Sequence, residues 1–155
     1  MRPEQASAHP STMNDNENAN AVSASNIDVI ASMYDALGRA DVDAIVAALD
    51  EDVDWISVCE EGDSVVPWYG RYRGKADVPR FFQAIGASVD ITEFVPLSFT
   101  SNATDVMVSI RWAFTVRATG KSARLHMQHW FRLTDGKVTF VRTAEDSERT
   151  AAAFS

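Results

Sequence analysis

The chain has 155 residues, of which 46% are hydrophobic, and its formal charge at pH 7 is −8. This length suits one domain with a substantial core. The acidic composition argues against nucleic acid and against anionic membranes as partners, because both carry negative charge themselves. No apolar run is long enough to span a bilayer, and the N-terminus lacks the apolar region of a secretory signal. A single cysteine, Cys59, excludes an intrachain disulfide, and we expect a cytoplasmic location.

Residues 1–24 are rich in Asn, Ala, Ser and Pro and contain almost no large apolar side chains. Such a segment cannot bury enough surface to offset the conformational entropy that ordering would remove. The composition therefore predicts a disordered tail over residues 1–24, followed by one folded domain over residues 25–155. His9 lies in this tail, and we expect it to take no part in a site.

Two helices are predicted at the start of the folded domain. Apolar residues recur at helical spacing up to Gly38, and either Ser25 or Asn26 is placed to act as the N-cap. Gly38 is typical of a helix C-terminus. Asp41 then predicts the cap of a second helix, which carries one apolar stripe.

The pattern changes twice between the second and third helices. Residues 52–59, DVDWISVC, alternate as a first strand. Residues 60–74 show no clear period, and an irregular stretch of this length is often a lid or a binding loop. A third helix is predicted over residues 75–86, where Pro79 is tolerated because it falls in the first turn.

Four strand-like runs follow from residue 90 onward, separated by SNAT, ATGK and TDGK. The Asp-Gly pair at 135–136 suits a type I′ hairpin turn, and the Thr-Gly pair at 119–120 is a similar signal. Long antiparallel strands twist and curl. We therefore predict an α+β fold, in which a curled antiparallel meander packs against three helices from the N-terminal half and forms a hollow cone. Asp146 predicts the cap of a short C-terminal helix.

The order of these elements resembles the NTF2-like superfamily and, within it, the SnoaL-like proteins. The stretch PWYGRYRGKADVPRFFQAI, residues 67–85, is similar to a family loop that leads into a helix with paired phenylalanines. HWFRLTDGKVTFVRTAED resembles the closing hairpin, and YDALGRADVDAIVAALDEDVDW resembles the opening helices and first strand. The resemblance covers residues 26–154. It implies a cone-shaped fold, but the superfamily includes isomerases, polyketide cyclases, epoxide hydrolases and non-catalytic partners.

Strand parity separates His126 from His129. Because the two lie three residues apart on one strand, they point to opposite faces and cannot bind one metal ion, so no metal site is expected. His129 shares its face with apolar side chains only. It is therefore either a satisfied core histidine or a pocket acid, base or hydrogen-bond donor near neutral pH. The resemblance implies the second role, because many SnoaL-like members have a cavity-facing histidine at this position.

The acids and bases of the family are otherwise replaced in this sequence. By the resemblance, the aspartate of the polyketide cyclases and a carboxylate of the epoxide hydrolases both fall on Thr143. The carboxylate of the ketosteroid isomerases falls on Ser57, and their helix-1 tyrosine falls on Met33, with Tyr34 one residue away. None of these three activities is therefore expected in its usual form.

A different pair of candidate catalytic residues remains, His129 and Glu145. Glu145 shares a strand face with Thr143, and it either turns inward to work with His129 or is a solvated carboxylate at the strand end.

Aromatic residues concentrate in the first strand, the long loop and the second strand of the meander. They suit a flat, largely apolar ligand, with core packing as the alternative. The predicted ligand-binding residues are Tyr34, Trp55, Ser57, Trp68, Tyr72, Trp112 and Thr143.

These features favour a small-molecule-binding SnoaL-like protein. If it is catalytic, we expect a cofactor-free isomerase, cyclase or hydrolase acting on an aromatic or polyketide-like compound. One alternative is a binding protein without catalysis, which the missing carboxylates favour. The other is a protein-interaction module whose cone is filled by its own side chains.

The second face of the sheet predicts a partner. It combines arginine, tryptophan and neutral polar side chains in a mix that is typical of interfaces. We predict a two-fold homodimer through this face, with Trp130 as the anchor. The alternative is an exposed amphipathic sheet face.

Overall fold

The computed structural model describes residues 11–155, which form the α+β arrangement that the sequence predicts. Helices and strands of this part of the chain are α1 (Ser11–Gly38), α2 (Val42–Ala47), β1 (Leu49–Ser57), β2 (Gly70–Arg73), α3 (Val78–Ser88), β3 (Val89–Ser101), β4 (Asp105–Val116), β5 (Ser122–Thr134), β6 (Lys137–Glu145) and α4 (Ser147–Ala152). Every helix in the described residues is too short or too polar to cross a lipid bilayer.

All the strands belong to one six-stranded sheet with the order β2-β1-β6-β5-β4-β3. The four strands from β3 to β6 form the predicted antiparallel meander. β1 joins the far edge of this meander by pairing parallel to β6, and the short β2 pairs antiparallel to β1. The apolar core lies between the helices and the side of the sheet that faces them, which we call the inner face.

Strand parity sorts the two faces of β4 and β5 as predicted. Along β5, alternate residues are buried and exposed, so His126 is exposed whereas His129 lies on the inner face. Along β4 the same alternation buries Val106 and Val108 and leaves Met107 exposed. The side of the sheet that carries His126 and Met107 is called the outer face below.

Local sequence signals explain the turns and caps. The Asp41 side chain accepts a hydrogen bond from the Ala44 backbone N–H at 3.1 Å, which caps α2 as predicted. Asp146 caps α4 in the same way. Asp135 and Gly136 both have positive φ, 50° and 75°, which is the backbone of a type I′ turn between β5 and β6.

The N-terminal region differs from the prediction. α1 begins at Ser11, so residues 11–24 are helical where the sequence predicts a disordered tail, and residues 1–10 lie outside the described residues. From residue 14 to residue 25 the side chains are mostly exposed, in accord with their polarity. A helix that packs from Asn26 onward is already nucleated, and adding turns to it costs far less than starting a new helix. Asn26 is therefore a buried helical residue rather than an N-cap.

Candidate functional site

The cone encloses a cavity of about 100 Å³ between the inner face of the sheet and helices α1, α2 and α3. An engineered cavity of about 150 Å³ in another protein binds benzene, so this smaller space limits a ligand to about one ring. Most of the wall is apolar. The wall includes all the predicted site residues except Tyr72, namely Tyr34, Trp55, Ser57, Trp68, Trp112, His129, Thr143 and Glu145.

A surface depression adjoins the cavity where α1 ends. A second, open depression shares Tyr34, Leu37, Ile91 and Phe94 with the cavity wall. The shared residues belong to the last turns of α1 and to β3. Ile91 is 45% exposed at this rim, so part of the apolar surface continues outside the cavity.

Tyr72 is the one predicted ligand-binding residue that does not line the cavity. It lies on β2 directly opposite Trp55, where its ring packs against Phe81 and under the guanidinium of Arg80. Its hydroxyl donates to the Trp68 carbonyl oxygen at 3.1 Å. Tyr72 is therefore a buried core residue on the edge strand of the sheet, where it contacts Phe81 of the cavity wall without lining the cavity itself.

Three polar side chains form a row across the floor of the cavity. Ser57 on β1 is the direct partner of Thr143 on β6, and Thr143 is the direct partner of His129 on β5. Adjacent strands lie about 4.8 Å apart, so the row spans two such steps. Ser57 is 1% exposed and Thr143 7%, and within residues 11–155 neither hydroxyl has a hydrogen-bond partner. Both hydroxyls stand where the resemblance places family carboxylates.

His129 contacts Tyr34 in an aromatic surrounding. The Tyr34 hydroxyl lies 2.8 Å from His129 Nδ1, and the two rings are stacked with 5.9 Å between their centroids. Phe94 and Phe131 lie on other sides of the imidazole. Burial in this apolar pocket lowers the pKa of His129 to about 3, so the ring is neutral at physiological pH.

Glu145 turns inward at the end of β6, as the first of its two predicted alternatives requires. Its Oε1 accepts a hydrogen bond from the Tyr69 hydroxyl at 2.7 Å, and its Oε2 accepts one from Trp112 Nε1 at 2.9 Å. Burial raises the pKa of Glu145, and the two hydrogen bonds oppose part of that rise. The buried Thr150 hydroxyl lies beside this carboxyl without reaching hydrogen-bond geometry.

The two candidate catalytic residues line the same cavity without contacting each other. Glu145 is the direct partner of Met127, and His129 is the direct partner of Thr143, so the two are diagonal neighbours across β5 and β6. Diagonal neighbours of this kind lie about 7–8 Å apart. A small ligand therefore has room to contact both side chains at once.

Tyr69 is a site residue that the sequence analysis missed. It belongs to the aperiodic stretch before β2, and its partner Glu145 lies 76 residues later in the chain. Gly70 follows it with φ of +134°, a conformation that other residues rarely adopt, and packs closely on Gly62. At this point of the loop Trp68 lines the cavity, and the Tyr69 hydroxyl reaches the Glu145 carboxyl at the cavity wall. The aromatic pair before a glycine was the available signal.

The other charged groups near the sheet point away from the cavity. Asp54, which strand parity places opposite Ser57, binds the Arg71 guanidinium through both carboxylate oxygens at 2.8 and 2.6 Å. Those hydrogen bonds hold the pKa of Asp54 below its ordinary value. Within residues 11–155, no three His, Cys, Asp or Glu side chains converge in a way that could hold a metal ion.

Solved structures with the same architecture are NTF2-like. An NTF2-like protein from Burkholderia xenovorans LB400 is 24% identical, with 86% of this chain and 98% of that chain covered and a TM-score of 0.76. TerC, co-crystallised with polyporic acid, is 21% identical over 84% and 98%, with a TM-score of 0.74. A candidate polyketide cyclase from Xanthomonas campestris pv. campestris is 22% identical over 86% and 99%, with a TM-score of 0.68. At these identities the likeness shows the NTF2-like fold.

The sequence defines the family within that fold. Residues 30–141, which are more than half of the chain, match the SnoaL-like domain, and the chain belongs to that family. This confirms the resemblance seen in the sequence. No curated protein matches the chain significantly in sequence.

Proposed function

We propose that this protein binds a small, largely apolar ring compound that carries a carbonyl or phenolic oxygen, and that it moves a proton on that compound without a cofactor. The observation that carries the proposal is the buried carboxyl of Glu145 on the wall of an otherwise apolar cavity. A carboxyl whose pKa is raised by burial is suited to exchange a proton near neutral pH. Such groups are common at functional sites.

The row of Ser57, Thr143 and His129 supplies the second half of the chemistry. Proton removal beside a carbonyl places negative charge on its oxygen, and hydrogen-bond donors fixed in advance at that oxygen stabilise the charge. Glu145 lies one step along the strand from this row, so it reaches a carbon close to the bound oxygen. The reaction classes that fit are isomerisation, cyclisation and water addition on an aromatic or polyketide-like compound. The candidate polyketide cyclase and the TerC complex among the similar structures support this choice.

Binding without turnover is the second candidate function. It is favoured by the hydroxyls of Ser57 and Thr143, which occupy the positions where the resemblance places catalytic carboxylates. It is also favoured by Glu145, whose two oxygens are each already held by a donor. A protein-interaction module with a filled cone fits less well, because the cone contains a cavity.

A thermal-shift screen of monocyclic enones, phenols and lactones tests the shared binding step. A ligand that binds only the folded protein raises its melting temperature, and at about 100 times its Kd it adds about 2.7 kcal/mol to the free energy of unfolding. Thr143→Leu, which fills the centre of the polar row, is expected to abolish the shift. Ala144→Leu is the matched control, because Ala144 is the next residue on β6 and its side chain is exposed on the outer face. A shift that survives Thr143→Leu would place the ligand outside the cone.

We also propose that two copies pair through the outer face of the sheet. Part of the Trp130 side chain already makes contacts within its own chain. Its Nε1 donates to Asp105 at 3.0 Å, and its ring packs against Phe140 and the Arg132 guanidinium. Its direct partner Met107 is 44% exposed and stands beside it. A flexible, apolar side chain of this kind suits the centre of an interface, with Trp130 fixed behind it.

Met107→Glu is expected to convert the dimer into a monomer, because it buries a carboxylate at the centre of the interface without a partner. Sedimentation velocity measures the change directly. His126→Glu, a charge change at a polar position of the same face, is the control and is expected to weaken the dimer less, because it removes no apolar contact. A wild-type protein that sediments as a monomer at high micromolar concentration would contradict the proposal.

A further inference from the structure

The contact between Tyr34 and His129 joins α1 to the middle of the sheet. The Tyr34 hydroxyl and His129 Nδ1 are 2.8 Å apart, and Tyr34 has no other side-chain hydrogen-bond partner within residues 11–155. Phe94, Phe99 and Phe131 pack around the tyrosine ring. Because this surrounding disfavours the phenolate, burial raises the pKa of Tyr34 above its ordinary value and the hydroxyl keeps its proton.

Only one arrangement of protons satisfies both partners. If Nδ1 of a neutral His129 carried the ring proton, it would donate to Tyr34, and the tyrosine's own proton would have no acceptor in an apolar surrounding. A buried donor without a partner costs free energy. If Tyr34 donates to Nδ1 instead, the ring proton sits on Nε2, and both the Tyr34 hydroxyl proton and Nδ1 have a partner.

The remaining nitrogen, Nε2, is available to a ligand. His129 lines the cavity, and its Nε2 makes no hydrogen bond within the described residues. Trp55 Nε1 also has no hydrogen-bond partner, but it is among the fully buried polar atoms of the described residues, and His129 Nε2 is not. Nε2 therefore keeps accessible surface, and Thr143 is the neighbour of His129 along the polar row.

We propose that Tyr34 is a positioning residue that holds the proton of His129 on Nε2, so that the ring presents an N–H donor to a carbonyl oxygen of the ligand. The ligand half of this inference rests on the proposed function, whereas the position of the proton does not. It assigns separate roles to the two candidate catalytic residues. His129 cannot accept a proton from the ligand while Nδ1 is held by Tyr34 and Nε2 is already protonated, so Glu145 is the proton carrier.

This assignment also narrows the ligand class. The titratable side chains that line the cavity are Tyr34 from α1, His129 from β5 and Glu145 from β6, and none of them is a cation when the imidazole is neutral. A carboxylate ligand would thus meet no opposite charge in an apolar pocket. Neutral ketones, enones and lactones match the donor on Nε2, whereas an isosteric hydrocarbon leaves that donor unpaired.

Nitrogen NMR of the full-length protein tests where the proton lies. In the wild type, the His129 ring is expected to show Nε2 as the protonated nitrogen and Nδ1 as a hydrogen-bond acceptor, with His129→Gln identifying its signals. Tyr34→Phe keeps the ring and its packing but removes the hydroxyl, and it is expected to raise the population of the Nδ1–H tautomer at least about threefold. Tyr72→Phe, which removes a hydroxyl bonded outside the cavity, is the matched control and should change nothing.

Two results would overturn the inference. One is a wild-type ring protonated on Nδ1, and this measurement needs no variant. The other is a folded Tyr34→Phe protein whose His129 tautomer is unchanged.

A matched pair of probe compounds tests whether Nε2 of His129 donates a hydrogen bond to the ligand. Cyclohexanone is expected to bind the wild type about tenfold more tightly than methylenecyclohexane, which has the same shape without the oxygen. Tyr34→Phe is expected to reduce that difference. If the proton lies on Nε2 but neither probe nor any screened compound binds, the proposed function fails and the role of Tyr34 in placing the proton stands. If both probes bind equally well, the carbonyl contact is refuted.

Discussion

The free energy of unfolding is expected to fall by up to about 1.4 kcal/mol per pH unit, from His129 alone, as the pH decreases from 6.5 towards 3. The folded protein holds the pKa of His129 at about 3, while the ordinary value for the unfolded chain is 6.5. Above pH 6.5 the ring is neutral in both states, and the stability is fully present. Below that pH the unfolded chain binds a proton that the folded protein excludes, so acid favours unfolding.

Urea denaturation of wild type and His129→Gln between pH 4 and pH 7 measures this contribution. The variant side chain does not titrate, so its free energy of unfolding should fall less steeply with acidification. Comparing two proteins is necessary because other groups change stability in the same range. The pKa of Asp54 is lowered by Arg71, which adds to the acid loss, whereas the raised pKa of Glu145 makes its protonation favour the folded state.

His126→Gln is the matched control for this measurement. His126 lies on the same strand but on the outer face, so the substitution removes an imidazole without touching the cavity. Of the two variants, His129→Gln is expected to have the shallower dependence on pH. Equal slopes for wild type and His129→Gln would mean that the imidazole takes up its proton as readily in the folded protein as in water, and the neutral ring would have to be abandoned.

The parts of this fold that follow from the sequence are those fixed by short-range geometry. Alternation along β5 places His129 inside and His126 outside because successive side chains of a strand point in opposite directions. The Asp135–Gly136 turn and the caps at Asp41 and Asp146 follow from the conformational preferences of a few adjacent residues. Alternation along β6 also predicts Thr143 on the same face as Glu145, and Thr143 lines the cavity.

The partners within the site do not follow from such patterns. Tyr34 and His129 are 95 residues apart, and Tyr69 and Glu145 are 76 residues apart. Alternation tells which side of a strand a residue occupies, but the identity of its neighbour depends on how the helices and the aperiodic loop close over the sheet. Tyr72 shows the same limit, because it lies in the stretch without a clear period and its packing against Phe81 of α3 could not be predicted. β2 was missed because a four-residue strand is too short to establish a period.

Replacing Glu145 by glutamine is expected to lower the rate of proton transfer by about 10²–10⁴-fold while ligand binding changes little. Glutamine has nearly the same size. Its amide oxygen can accept from Trp112 Nε1 and its amide NH2 can donate to the Tyr69 hydroxyl oxygen, but it cannot accept or release a proton at neutral pH. The measurement is the incorporation of solvent deuterium into the C–H groups of the compound that gives the largest thermal shift. Glu148→Gln, on the exposed side of α4, is the matched control and should leave the exchange rate unchanged.

The dependence of this exchange on pH distinguishes Glu145 from any other base. The Tyr69 hydroxyl lowers the pKa of Glu145 by stabilising its charged form, against the larger effect of burial. Tyr69→Phe removes that hydrogen bond, so the pKa of Glu145 should rise and the pH at which exchange begins should move upward with it. If exchange persists in Glu145→Gln, or its onset stays fixed in Tyr69→Phe, Glu145 is not the proton carrier. Retained thermal shifts without exchange in the wild type would leave binding without turnover as the function of the cone.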